Sequence, residues 1–123
     1  PTLFEKEEIV KGIKELKKIN SHNHTQAVII RDNKVISRET RKGTKEMIKS
    51  IPKSKIKKGI LIKLPKVKQD LRVDLPTIGI DTFKDCNKAG IKGIVIKANQ
   101  NILLNKEHSI KYANKNKLFL SAI

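Results

Sequence analysis

The run Gln69-Asp70-Leu71-Arg72-Val73-Asp74-Leu75-Pro76 concentrates the side chains with the most chemistry in the chain. An extended backbone sends successive side chains to opposite faces. Asp70, Arg72 and Asp74 then share one face, and Leu71, Val73 and Leu75 share the other. Such a segment can bury its apolar face and hold out an acid-base-acid row. Two carboxylates offer hard oxygen donors to a cation such as Mg²⁺. The guanidinium between them can grip phosphate oxygens with its fork of donors. Cation and arginine together meet the needs of phosphate-ester or diphosphate cleavage. The same row also reads as a solvated strand face with cross-paired charges, which contribute little to stability.

That row needs a scaffold, and the hydropathy pattern outlines one. Over 5–19, Ile9, Val10, Ile13, Leu16 and Ile19 fall at helical spacing among Lys and Glu, which predicts an amphipathic helix. Thr2 lies near its N-terminal cap, and Glu5, Glu7 and Glu8 suit the positive end of the helix dipole. A polar loop at 20–23 precedes a strand at 25–31, and Asp32-Asn33 is the turn signal of a hairpin that returns over 34–39. Thr44 is placed to cap a short helix reaching about residue 50. A basic connector over 51–58 leads to a strongly apolar strand at 59–64, expected at the centre of the sheet. Beyond the octet, Asp81 is the expected cap of a helix over 82–89 that stops at Gly90. Strands at 93–98 and 102–104, a helix capped by Asn105 to about residue 114, and a strand at 118–122 complete the chain. Interleaved strands and helices predict the α/β (α+β) class: a mixed β-sheet of about five to six strands with three to four helices, in a single compact domain over 1–123.

A length of 123 residues is enough for one domain with a real core. The net charge of +16 comes from 24 lysines and only 4 arginines. Lys, Ile and Asn fill 52 of the 123 positions, a skew that resembles an AT-rich coding bias. Nucleic-acid surfaces favour arginine forks and aromatic stacking, whereas this chain has three Phe, one Tyr and no Trp. The positive field attracts polyanions and suits anionic ligands or an anionic membrane surface. No apolar run is long enough to span a bilayer, no signal-peptide pattern opens the chain, and a lone Cys86 excludes an intramolecular disulfide. The cytoplasm is the expected compartment. Pro1 in place of Met implies a start that was processed, trimmed or cut from something longer.

Other motifs read as structure rather than chemistry. Cys86, three residues from both Phe83 and Ala89, is expected as a core thiol. His22 and His24 could begin a metal site, but His108 stands alone far along the chain, so a solvated loop is expected. The lysines of 53–58 form a solvated connector or, alternatively, steer phosphate. There is no P-loop, dinucleotide fingerprint or nucleophile elbow.

Several segments follow one another in a recognisable order. They are Thr25-Gln26-Ala27-Val28-Ile29-Ile30, then Gly43-Thr44, then the octet continued by Thr77-Ile78-Gly79, then Ala89-Gly90-Ile91-Lys92-Gly93-Ile94. Together they resemble the C-terminal domain of the LpxI-type UDP-2,3-diacylglucosamine pyrophosphatases. The likeness extends from the first helix to Leu118-Phe119. The resemblance implies one half of a two-domain hydrolase of lipid A biosynthesis in Gram-negative bacteria, with the N-terminal domain absent. Such enzymes cut the diphosphate of UDP-2,3-diacylglucosamine to lipid X (2,3-diacylglucosamine 1-phosphate) and UMP. They use Mg²⁺ or a similar divalent cation and hold the substrate between the domains. The implied location is cytoplasmic, with peripheral contact at the inner membrane.

Carried over residue by residue, the resemblance implies Asp70 and Asp74 as metal-binding and catalytic, and Arg72 as the catalytic phosphate contact. It implies Gln26, Thr44, Lys63, Gln69 and Thr77 as substrate-binding. Two departures stand out: Val67-Lys68 replaces the family's Pro-Gly, and Arg41-Lys42-Gly43-Thr44-Lys45 replaces its Glu-Gly-Thr-Asp. The isolated chain is expected to be nearly inactive. The rival readings are a basic nucleic-acid-binding domain and a non-catalytic ligand-binding or interaction domain of the same fold. No specific nucleic acid is expected as a partner.

Overall fold

A computed structural model describes residues 2–19, 27–64, 77–97 and 102–123. The first element, α1 (Leu3–Ile19), opens with a reciprocal cap. The Thr2 N–H donates to Glu5 Oε1 at 2.8 Å, and the Glu5 N–H donates to Thr2 Oγ1 at 3.1 Å. This is the capping box that a Thr-x-x-Glu start specifies. Ile9 and Leu16 are buried, as their spacing predicted. Val10, expected beside them, is 52% exposed. Each residue turns the helix by about 100°, so the neighbour of buried Ile9 swings toward solvent. Gly12 takes the position facing the sheet. A Cβ there would collide with Ile62 and crowd Ile30, so the absent side chain sets how closely the helix lies on the strands.

β1 (Ala27–Arg31) and β2 (Lys34–Arg38) form the predicted hairpin. Asp32 and Asn33 hold φ of 53° and 60°, the left-handed pair that matches the twist of two joined strands. α2 (Thr44–Ser50) begins one residue earlier than the sequence suggests: Gly43 is its cap, and Thr44 lies inside the first turn. The Thr44 hydroxyl is engaged across the fold instead of on its own helix. β3 (Ile60–Lys63) follows the basic connector.

β4 (Thr77–Ile78), a two-residue strand that periodicity does not reveal, leads into α3 (Ile80–Ala89). Gly79, not Asp81, caps this helix, because the chain turns helical directly after Ile78 enters the core. Gly90 ends α3 at φ 78°, and the Ile91 N–H reaches back to the Cys86 carbonyl at 2.9 Å. That is the left-handed stop predicted for this glycine. β5 (Gly93–Ile96), β6 (Ile102–Leu103), α4 (Lys106–Lys115) and β7 (Phe119–Ala122) complete the order. Asn105 stands at the cap of α4 as predicted, but it is left-handed (φ 50°) and its side chain makes no capping bond.

The main sheet runs β2-β1-β3-β5-β7, and β4 and β6 pair separately. β1 is antiparallel to both β2 and β3, whereas β3, β5 and β7 are mutually parallel. The expected mixed sheet is therefore present, with five strands and four helices among the described residues. β1, β3 and β5 are apolar on both faces because helices cover both. On one side, α1 packs Ile9 and Leu16 against Val28, Ile30, Ile60, Ile62 and Val95. On the other, Met47, Ile48, Phe83, Cys86 and Ala113 of α2, α3 and α4 pack on Ile29, Leu61 and Ile94. Cys86 is fully buried, and burial pushes its thiol far above the usual range, so it is the inert core residue expected.

Candidate functional site

The direction of the strands decides which residues can meet. β3 and β5 are parallel, so both carboxyl ends emerge at one edge of the sheet, with Lys63 paired to Ile96 and Lys97 just beyond. β1 runs the other way, which puts its first residue, Ala27, opposite Lys63. The Glu39 N–H donates to the Ala27 carbonyl at 2.9 Å, so the end of the hairpin arrives at the same edge. α2 starts there too. Open α/β sheets offer a ligand crevice outside the carboxyl ends of their parallel strands.

At this edge four residues form one polar chain. Lys63 Nζ donates to Thr44 Oγ1 at 3.0 Å and to the Thr77 carbonyl at 3.2 Å. Thr44 Oγ1 in turn donates to Glu39 Oε1 at 3.0 Å. Three of the residues expected to bind substrate, Thr44, Lys63 and Thr77, are thus held together. Thr77 joins through its backbone and not its side chain. Glu39 is the member that sequence reasoning missed. It closes a predicted strand and looks like a surface acid; only its five-residue offset from Thr44, across the glycine turn, hinted at the contact.

The octet connects to this same edge. The chain leaves β3 through Leu64 and returns at Thr77, whose carbonyl is tied to Lys63. Gln26, Gln69, Asp70, Arg72 and Asp74 themselves lie outside the described residues, as do His22 and His24. Among the described residues, no group of three or more His, Cys, Asp or Glu could hold a metal ion. The Glu39 oxygen at the edge already accepts from Thr44. Asp70 and Asp74, the residues expected to hold a divalent cation, are among those outside the described residues.

The lysines of the connector do not belong to this site. Ile30 pairs with Ile60 at the start of β3, so the far end of β1 sits at the opposite edge. There the Arg31 guanidinium, 6% exposed, staples the connector to the core. It donates to the Pro52, Lys58 and Ala89 carbonyls at 2.7, 3.1 and 3.1 Å. A cavity of about 410 Å³ beside it is lined by Lys34, Lys53 and Lys58, with Asp32 paired to Lys58 at 3.1 Å. The solvated-connector reading fits this position. Steering phosphate into the Lys63 edge does not, with the sheet between them.

Residues 1–121 match the LpxI C-terminal domain family. A relative from Caulobacter vibrioides, UDP-2,3-diacylglucosamine pyrophosphatase LpxI, is 30% identical over 106 residues. Those residues are 80% of this chain and 38% of the relative, so the chain spans well under half of that protein's length.

Proposed function

We propose that this chain, which belongs to the LpxI C-terminal domain family, supplies the carboxylate-bearing half of a UDP-2,3-diacylglucosamine pyrophosphatase of lipid A biosynthesis. The reaction would add water across the diphosphate and give lipid X and UMP. The observation that carries this reading is the Glu39–Thr44–Lys63–Thr77 chain at the carboxyl edge of the parallel strands, where the segment bearing Asp70, Arg72 and Asp74 leaves and returns.

In this reading the diphosphate lies over that edge. Lys63 and Arg72 balance the charge that grows on the phosphoryl oxygens. One carboxylate of Asp70 and Asp74 takes a proton from the attacking water. The water oxygen forms the new bond to phosphorus as the bridging bond breaks. Glu39 and Thr44 act as positioning residues, because they orient the Lys63 ammonium. Asp70 and Asp74 would hold a divalent cation, which would supply Lewis-acid polarisation. The remainder of the site comes from the domain that precedes this one in the relative. The nucleic-acid reading rests on net charge alone and gains nothing from the edge geometry.

The test is UMP release from UDP-2,3-diacylglucosamine by the longer protein that carries this domain. Asp70→Asn, Asp74→Asn and Arg72→Ala should each lower kcat about 10²–10³-fold, the usual cost of losing one group that stabilises developing charge. Residues 1–123 alone should release little UMP. No release by the longer protein, or full turnover in both Asp variants, would overturn the reading.

A further inference from the structure

Val10 was expected in the core and stands outside it, and it has company. Leu3, Phe4 and Val10 of α1 are 76%, 51% and 52% exposed. Leu3 and Val10 are seven residues apart, so they lie on one side of the helix about two turns, or 10 Å, from each other. The same outward arc carries exposed Lys6, Lys11, Lys14, Lys17 and Lys18. The acids of the helix are mostly turned away from it. Glu5 is buried and paired with Lys92, Glu8 is buried and accepts from the Asn33 N–H at 3.1 Å, and Glu15 accepts from Arg38 at 2.6 Å. Only Glu7 stays on the arc. The result is a helix buried on one face and, on the other, three apolar side chains set among five lysines.

That composition favours one occupant over another. Protein interfaces deplete lysine and collect it only at their rims. A helix lying in a bilayer interface does the opposite: lysines reach the headgroups while a few apolar side chains enter the acyl boundary. No described helix is long and apolar enough to cross a membrane, so the arc fits contact and not insertion across the bilayer. We propose that the outward face of α1 docks on an anionic lipid bilayer, with Leu3, Phe4 and Val10 entering the surface and Lys6, Lys11, Lys14 and Lys17 meeting the headgroups. This stands independently of the catalytic reading, although a diacylated substrate would make such a surface useful.

Vesicle sedimentation of the 123-residue chain tests it, with phosphatidylcholine alone against phosphatidylcholine carrying about 30% phosphatidylglycerol. Binding should need the anionic lipid. Lys6→Glu, Lys11→Glu and Lys14→Glu together should lower partitioning about a hundredfold. Leu3→Gln, Phe4→Gln and Val10→Gln together should lower it about tenfold. A control reversal of exposed Lys84, Lys88 and Lys111 on α3 and α4 should cost less than about threefold. Leu3→Trp should shift its fluorescence to the blue on anionic vesicles only. Equal losses in the control and the α1 reversal would mean diffuse charge alone and would overturn the proposal, as would unchanged binding by the apolar variant. A Leu3→Trp emission already blue in the longer protein without vesicles would show the face covered by the preceding domain, and would overturn it too.

Discussion

Replacing Thr44 by valine removes a hydroxyl and leaves the shape almost unchanged, so it isolates the polar chain at the sheet edge. The hydroxyl donates to the Glu39 carboxylate and accepts from the Lys63 ammonium, both at 3.0 Å. Hydrogen bonds to charged groups contribute about 1.5–3 kcal/mol each. Here the bonds are part-buried, and water can replace some of what is lost, so the lower end applies. A total near 2 kcal/mol is expected, which for 123 residues corresponds to a drop of about 8 °C in Tm. Thr44→Ser keeps both bonds and should stay within about 0.5 kcal/mol of the parent. The pair of variants separates hydroxyl chemistry from packing. A double-mutant cycle with Lys63→Met should return a coupling of about 1 kcal/mol, because each partner's loss removes the other's bond. Urea unfolding followed by circular dichroism measures all five proteins, the parent and the double variant included. If Thr44→Val matches Thr44→Ser, or if the cycle is additive, the chain of bonds does not hold the site and Lys63 must be positioned some other way.

Three further outcomes follow from the packing and charge. Gly12→Ala places a methyl 3.2 Å from Ile30 Cγ1 and against the end of Ile62, so overpacking of about 1–3 kcal/mol should cancel or exceed the gain of about 1 kcal/mol in helix propensity; stabilisation by a full kcal/mol in a thermal melt would show that the helix does not sit so close. Glu8 and Glu5 should respond to pH with opposite signs. Burial holds the Glu8 carboxyl above its ordinary 4.5, so its ionisation opposes folding at neutral pH. Burial also opposes Glu5, but bonds from Lys92 and the Thr2 N–H outweigh it and leave that carboxyl below 4.5, so its contribution is present above 4.5 and lost as the pH falls through the lowered value. Glu8→Gln should therefore stabilise at pH 7 and Glu5→Gln destabilise, and both differences should shrink in acid; melts at several pH values that show the same sign for both would contradict the assignments. Any RNA or DNA binding should ignore sequence and largely vanish at moderately raised salt, because diffuse lysine charge acts through counterion release; filter binding that resists salt and selects a sequence would restore the nucleic-acid reading.

The fold was legible wherever one local pattern had no competitor. Asp32-Asn33 between apolar runs gave the hairpin, and the near-continuous apolar stretches at 27–30, 60–62 and 94–96 gave the buried strands. Helix starts were harder. Thr44 and Asp81 are good capping residues by type, yet glycines took both caps, and at Thr44 a bond across the fold outweighed the local one. β4 has two residues and, among the described residues, pairs with β6 alone, so nothing periodic could announce it. Val10 failed for a geometric reason: an apolar residue beside Ile9 was grouped with the stripe although the turn of the helix sets it apart.

The site divides along the same line. Thr44, Lys63 and Thr77 are separated by 19 and 14 positions, and no spacing rule joins them. They were named through the resemblance, and what brings them together is topology: a parallel pair of strands ends where an antiparallel neighbour begins. Glu39 escaped because resemblance works position by position and looked for acids on either side of Gly43-Thr44, where Lys42 and Lys45 stand. The fold can supply a carboxylate to the same hydroxyl from the end of β2, since the glycine turn at Gly43 folds Thr44 back toward it. Glu39 then holds the Thr44 hydroxyl that in turn accepts from Lys63. If so, Glu39→Gln in the longer protein should harm turnover more than any change at Arg41 or Lys42, and should do so through the orientation of Lys63.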